Sequence, residues 1–88
     1  MIDHKFRIAY PFGLHARPAT MLVSKANSFQ AEMMIYFDEK EANLKSIMGV
    51  LSLGVPQNKT FTISFKGNDE EAAYLAISRV ISDINELV

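Results

Sequence analysis

The 88-residue chain is 49 % apolar, carries a formal net charge of −1 and contains no cysteine. That length gives one domain, residues 1–88, with surface enough to bury a single core but hardly a deep substrate cavity as well, so chemistry is expected at the surface, against a partner. The charge, with Lys and Arg scattered, argues against a nucleic-acid partner. The missing cysteine excludes a disulfide scaffold, thiol catalysis and a cysteine zinc site. No apolar run has the length of a membrane span, and the first residues lack the apolar stretch of a signal peptide.

In chain order, Ile2, Phe6, Ile8 and Tyr10 alternate with charged or small residues and predict a half-buried first strand. His4 within it has no matching carboxylate or histidine pattern, so a solvent-facing strand residue is expected there rather than a metal ligand. Pro11-Phe12-Gly13 breaks the strand as a turn. Ala19, Leu22, Val23, Ala26 and Phe29 then follow helical spacing. Met33, Ile35 and Phe37 predict a second strand whose outer face is partly apolar. Asp38-Glu39-Lys40 turns it into a third, from Glu41 to Leu44. A short helix is predicted from Ser46, its N-cap, to Leu53, stopped by Gly54 with Pro56 beyond. Phe61, Ile63 and Phe65 alternate with Thr60, Thr62, Ser64 and Lys66, the clearest strand in the chain. Gly67-Asn68-Asp69 turns it, and Asn68 or Asp69 caps a last helix with Glu70 and Glu71 in its first turn and a core stripe of Ala73, Ile77, Val80, Ile84 and Leu87. The order βαββαβα predicts an α+β fold, an open-faced two-layer sandwich. Its four-stranded antiparallel sheet is covered on one face by three helices.

Gly13-Leu14-His15-Ala16-Arg17-Pro18-Ala19 lies between the first strand and the first helix. Proline lacks an N–H and belongs in a helix's first turn, which puts His15 at or just before the helix N-terminus. Free N–H groups of Ala16 and Arg17, with about half a positive charge from the helix dipole, make that place an anion cradle. The same dipole disfavours an imidazolium, leaving a ring lone pair able to attack phosphorus. Arg17 offers a planar cation for phosphoryl oxygens, and Gly13 permits a sharp turn beside the ring. In isolation a His-Ala-Arg tripeptide is usually structural, a helix cap beside a solvated arginine. Nucleophile, cradle and counter-charge within five residues favour the chemical reading.

The Gly13–Ala19 stretch resembles the active-site signature of the histidine-containing phosphocarrier (HPr) family of the bacterial phosphoenolpyruvate-dependent sugar phosphotransferase system. Asn43-Leu44-Lys45-Ser46-Ile47-Met48-Gly49-Val50, followed by Leu51-Ser52-Leu53-Gly54, resembles that family's second signature. The resemblance extends over essentially the whole chain. It implies a cytoplasmic, monomeric carrier that is not an enzyme in its own right and uses no cofactor or metal. Enzyme I would phosphorylate His15 on Nδ1, Arg17 would steady the group, and the IIA domains of sugar permeases would receive it. Ser46 matches the serine modified by HPr kinase/phosphorylase in many Gram-positive-type members, and Leu14, Ile47, Met48 and Leu51 match partner contacts. By residue type alone Ile47 and Met48 are equally candidates for the core, with Leu44, Val50 and Leu53 as the alternatives, and the sequence does not sort the two faces of this helix. Phosphate on Ser46 would add about −1.5 to −2 charges beside apolar docking residues. That would weaken enzyme I docking and favour a catabolite-control transcription regulator. An ordinary N-cap serine is the plainer reading of the same position.

Two features depart from the family pattern. Phe12, after Pro11, stands where a small polar residue is common, so an aromatic either shields the phosphoryl group or reshapes the partner contact. Val55-Pro56-Gln57-Asn58 replaces a loop that is often glycine-rich. Two other readings remain to be weighed. One is a regulatory paralogue that acts through phospho-Ser46 alone. The other is an RNA-binding sheet using Phe61 and Phe65, whose alternation points them instead to the core.

Overall fold

Each of the predicted elements forms, and in the predicted order. The computed structural model describes residues 1–87. It contains β1 (Ile2–Arg7), α1 (Ala16–Ala26), β2 (Glu32–Phe37), β3 (Lys40–Asn43), α2 (Ile47–Leu53), β4 (Thr60–Lys66) and α3 (Glu70–Asn85). The sheet order is β1-β4-β2-β3 with every pair antiparallel. A two-residue turn, Asp38 and Glu39, closes the β2–β3 hairpin. Both have positive φ, 51° and 64°, the conformation that matches strand twist in tight hairpins.

Strand alternation decides which residues the helices cover. Phe6 lies opposite Phe61, Ile63 opposite Ile35, and Phe65 opposite Met33, and these inner-face side chains are buried. Against them pack Ala19, Leu22, Val23 and Ala26 of α1 and Ala73, Ile77, Val80, Ile81 and Ile84 of α3. Each fully buried large side chain here contributes about 1.5–3 kcal/mol relative to exposure. The outer face carries Lys5, Thr62, Tyr36 and Glu41 in one row and lies open. Phe61 and Phe65 are therefore core residues, not a base-stacking platform.

Several details differ from expectation. β1 ends at Arg7, before Ile8 and Tyr10, although Ile8 stays buried because its N–H and C=O bond to Lys59 and Asn58. His4 is exposed as expected, but it lies in the row of Ile63 and Ile35, on the helix side of an edge strand, with its ring 5.2 Å from that of Tyr74. Asp69 occupies the N-cap position of α3 without capping it. Its carboxylate instead accepts from the N–H groups of Gln30 and Ala31, at 2.9 and 2.8 Å. The hydrogen bond from Gln30 N–H, seconded by that from Ala31, lowers the Asp69 pKa. Glu70 supplies the local tie, accepting from Gly67 N–H and pairing with the Met1 amine at 2.8 Å. Leu87 lies past the end of α3 and is 42 % exposed rather than in the core stripe, whereas Ile81 is buried with the stripe.

The long-range tie that matters most for the site comes from Asn85 at the end of α3. Its side chain accepts from Ala9 N–H at 2.7 Å and donates to Arg7 C=O at 3.0 Å. The segment that leaves β1 toward His15 is thereby fastened to the last helix.

Candidate phosphoryl-acceptor site

The site begins with a turn that has nowhere else to go. Gly13 N–H donates to Tyr10 C=O at 2.8 Å, closing a reverse turn over Pro11 and Phe12. Gly13 has φ +66°, and a Cβ built there would run into the Val55 carbonyl oxygen and meet Pro56 Cα at 2.8 Å. Only glycine permits both the left-handed backbone and this approach. Leu14 N–H then donates to the same Val55 carbonyl at 2.9 Å.

Leu14 is 3 % exposed and belongs to the core, which corrects its assignment as a partner contact. The physical reason is directional. A chain that turns inward at Leu14 to anchor the loop delivers His15 outward at the next residue.

His15 is the N-cap of α1, with extended backbone (φ −87°, ψ −168°) and no side-chain capping bond. Its imidazole is exposed and uncommitted. Its carbonyl accepts from Ala19 N–H at 2.9 Å, starting the helix. Pro18 sits in the first turn as expected, buried and without an N–H to satisfy. Among the described residues the N–H groups of Ala16 and Arg17 have no protein acceptor, and the Arg17 guanidinium has no hydrogen-bond or ion-pair partner. The first turn contains no acidic residue that would compete for these donors. Two free amides, one free guanidinium and an exposed imidazole thus share a helix N-terminus, where a tetrahedral anion bound to the ring would be stabilised.

α2 supplies the second predicted group. Ser46 caps it, its Oγ accepting from Gly49 N–H at 3.0 Å, and Gly54 ends it in the left-handed region. The structure sorts the two faces that sequence leaves open. Val50 and Leu53 are buried with Leu44, while Met48 is 78 % exposed, Ile47 40 % exposed and Leu51 half-buried. α2 is joined to the far end of α1 at its start and to the His15 loop at its end. Asn27 at the end of α1 donates to Lys45 C=O, and Val55, just past α2, holds Leu14.

The supports that sequence reasoning missed are Val55 and Asn85, whose roles depend on contacts across about forty and seventy-six residues, with no local signal. Among the described residues no cluster of His, Asp or Glu is arranged to hold a metal ion, and no helix is long and apolar enough to cross a membrane.

A sandwich of this topology with a histidine opening its first helix defines a class, and sequence comparison identifies it. Residues 2–83 match the family model described as the PTS HPr component phosphorylation site. A phosphocarrier protein HPr from Lysinibacillus sphaericus is 39 % identical over 84 residues, spanning 96 % of each chain. HPr from Thermoanaerobacter tengcongensis superposes with a TM-score of 0.92 at 38 % identity, over 98 % of this chain and 97 % of that one. Crh of Bacillus subtilis, a catabolite repression protein whose structure is an intertwined, swapped dimer, matches with a TM-score of 0.74 at 33 % identity, over 96 and 97 % of the two chains. The chain belongs to the HPr family of phosphotransferase-system phosphocarriers.

Proposed function

We propose that this chain, acting as a single cytoplasmic domain, takes a phosphoryl group from enzyme I onto His15 and passes it to sugar-specific IIA domains. A ring nitrogen lone pair attacks phosphorus in line while the donor's bond to phosphorus breaks, the donor group leaving with that electron pair. The group then sits on imidazole until the acceptor's nucleophile attacks and His15 leaves with its lone pair restored. Ala16 and Arg17 N–H groups and the Arg17 guanidinium hold the phosphoryl oxygens through both steps. No metal or cofactor enters, and the chain is a carrier rather than an enzyme.

The observation that carries this reading is the exposed, uncapped His15 beside two donors without partners. The experiment is incubation with labelled phosphoenolpyruvate and enzyme I, where acid-labile label is expected on the chain and absent from His15→Ala. Label retained by His15→Ala refutes the site.

Regulation at Ser46 forms a second layer of the proposal. HPr kinase/phosphorylase would modify Ser46, whose neighbours Ile47, Met48 and Leu51 form an accessible apolar surface. The added charge would then disfavour enzyme I docking and favour a catabolite-control regulator. Similarity to Crh keeps in view a chain that works only through phospho-Ser46. The same labelling assay separates the two, because such a regulator takes no label on His15. As a proposed monomer, the chain should sediment at 9.9 kDa.

A further inference from the structure

Phe12 is 75 % exposed, yet its backbone is enclosed in a hydrogen-bonded turn. It lies inside the Tyr10–Gly13 turn, next to the glycine wedged on Val55 and Pro56, and its ring stands edge-on to that of Tyr10, centroids 6.5 Å apart. The ring adds nothing to the core. Left in water, a phenylalanine forgoes burial of roughly 150–250 Å² of surface.

Geometry dictates where that surface goes during transfer. Reacting atoms must approach to about 3–3.5 Å, so a partner that exchanges a phosphoryl group with His15 covers the surface around it. An ordinary interface takes about 800 Å² from each partner, a disc of about 16 Å radius. The chain exposes 5132 Å² in all. Three residues of chain span at most about 11 Å, so Phe12 falls inside a disc centred on His15. Any partner that reaches the imidazole must therefore accommodate the ring. Arg17 and Met48, residue types favoured with aromatics in interface cores, are exposed as well.

Resting on the phosphocarrier reading, we propose that Phe12 is a specificity-determining contact: its ring enters an apolar hollow beside the phosphoryl-bearing residue of the partner, and partners with a charged or small polar surface there are disfavoured. The ring is presented on a fixed turn, so little ordering is lost on docking.

The test is steady-state transfer from enzyme I of the same cell to wild type, Phe12→Ser and Phe12→Leu, with urea unfolding of each. In Phe12→Ser, KM for the carrier rises about tenfold while kcat stays within about twofold. In Phe12→Leu, which keeps an apolar side chain, KM stays within about threefold of wild type. Unfolding midpoints are alike for all three, because the ring is not in the core. An unchanged KM in Phe12→Ser overturns the inference. So does an unchanged KM with faster loss of phosphate from His15, which makes the ring a water shield instead. Failure of wild type itself to take label sinks the phosphocarrier reading, a different result from a labelled Phe12→Ser with wild-type KM.

Discussion

Replacing Gly13 by alanine tests whether the His15 loop is held by a wedge against the segment after α2. The new Cβ meets backbone, the Val55 carbonyl and Pro56 Cα, which cannot rotate away as a side chain tip would. An L-residue at φ +66° costs about 1–2 kcal/mol before any contact is counted. Relieving the clash separates the turn from Val55 and removes the Leu14 N–H to Val55 bond, worth about 1 kcal/mol. It also lifts Leu14 part-way out of the core, forfeiting about 1–2 kcal/mol of its burial. The expected loss is about 3–5 kcal/mol, a large share of the roughly 4–13 kcal/mol usual for a chain of this size. With a urea m-value of about 1 kcal/mol/M, the midpoint falls by about 3 M or more. Because both effects pass through Leu14, Gly13→Ala should cost less in a Leu14→Ala background than alone. A midpoint within about 1 M of wild type, or strict additivity with Leu14→Ala, refutes the wedge.

Arg17→Ala should slow phosphoryl transfer to His15 by about tenfold to a hundredfold while leaving the urea midpoint unchanged, since the guanidinium has no partner in the fold. Ser46→Ala removes the acceptor for Gly49 N–H and should cost about 1 kcal/mol in chemical denaturation; Ser46→Asp, which keeps an acceptor, should cost less. Asp69 and Glu70 both have lowered pKa values, Asp69 chiefly from the Gln30 N–H and Glu70 chiefly from the Met1 amine. Folding therefore gains from their ionised forms above the ordinary carboxylate range, about pH 4, and loses that gain as pH falls through the lowered values. Asp69→Asn should flatten this acid limb in a pH series of unfolding midpoints, and an unaltered limb contradicts the assigned hydrogen bonds.

What sequence made legible were the local patterns. The alternation in Thr60–Lys66 marked β4, and Ser46, Gly54 and Pro18 marked helix ends through rules that act within one turn of chain. The helix-opening position of His15 was legible for the same reason, because Gly13 and Pro18 fix the backbone on either side of it. Non-local contacts were not legible. Leu14 reads as just another member of a motif until Val55 is seen to hold it, and Asp69 reads as a helix cap until Gln30 and Ala31 claim its carboxylate. Leu87 continues the helical spacing of α3, but the helix stops at Asn85, whose side chain is committed to Arg7 and Ala9. The two faces of α2 carry equally apolar residues, so only packing against the core could separate Val50 from Met48.

The Asn85 bridge also sets an order of events. β1 pairs with β4, residues 2–7 against 60–65, and its exit is tied to the final helix. Contacts so distant along the chain form slowly, since a long loop must close before they reward it. During synthesis His15 therefore emerges early, while the segment that leads to it is fastened only once the last helix is made. A nascent chain that still lacks its final helix, however complete its first, carries His15 on a segment not yet fastened to the fold.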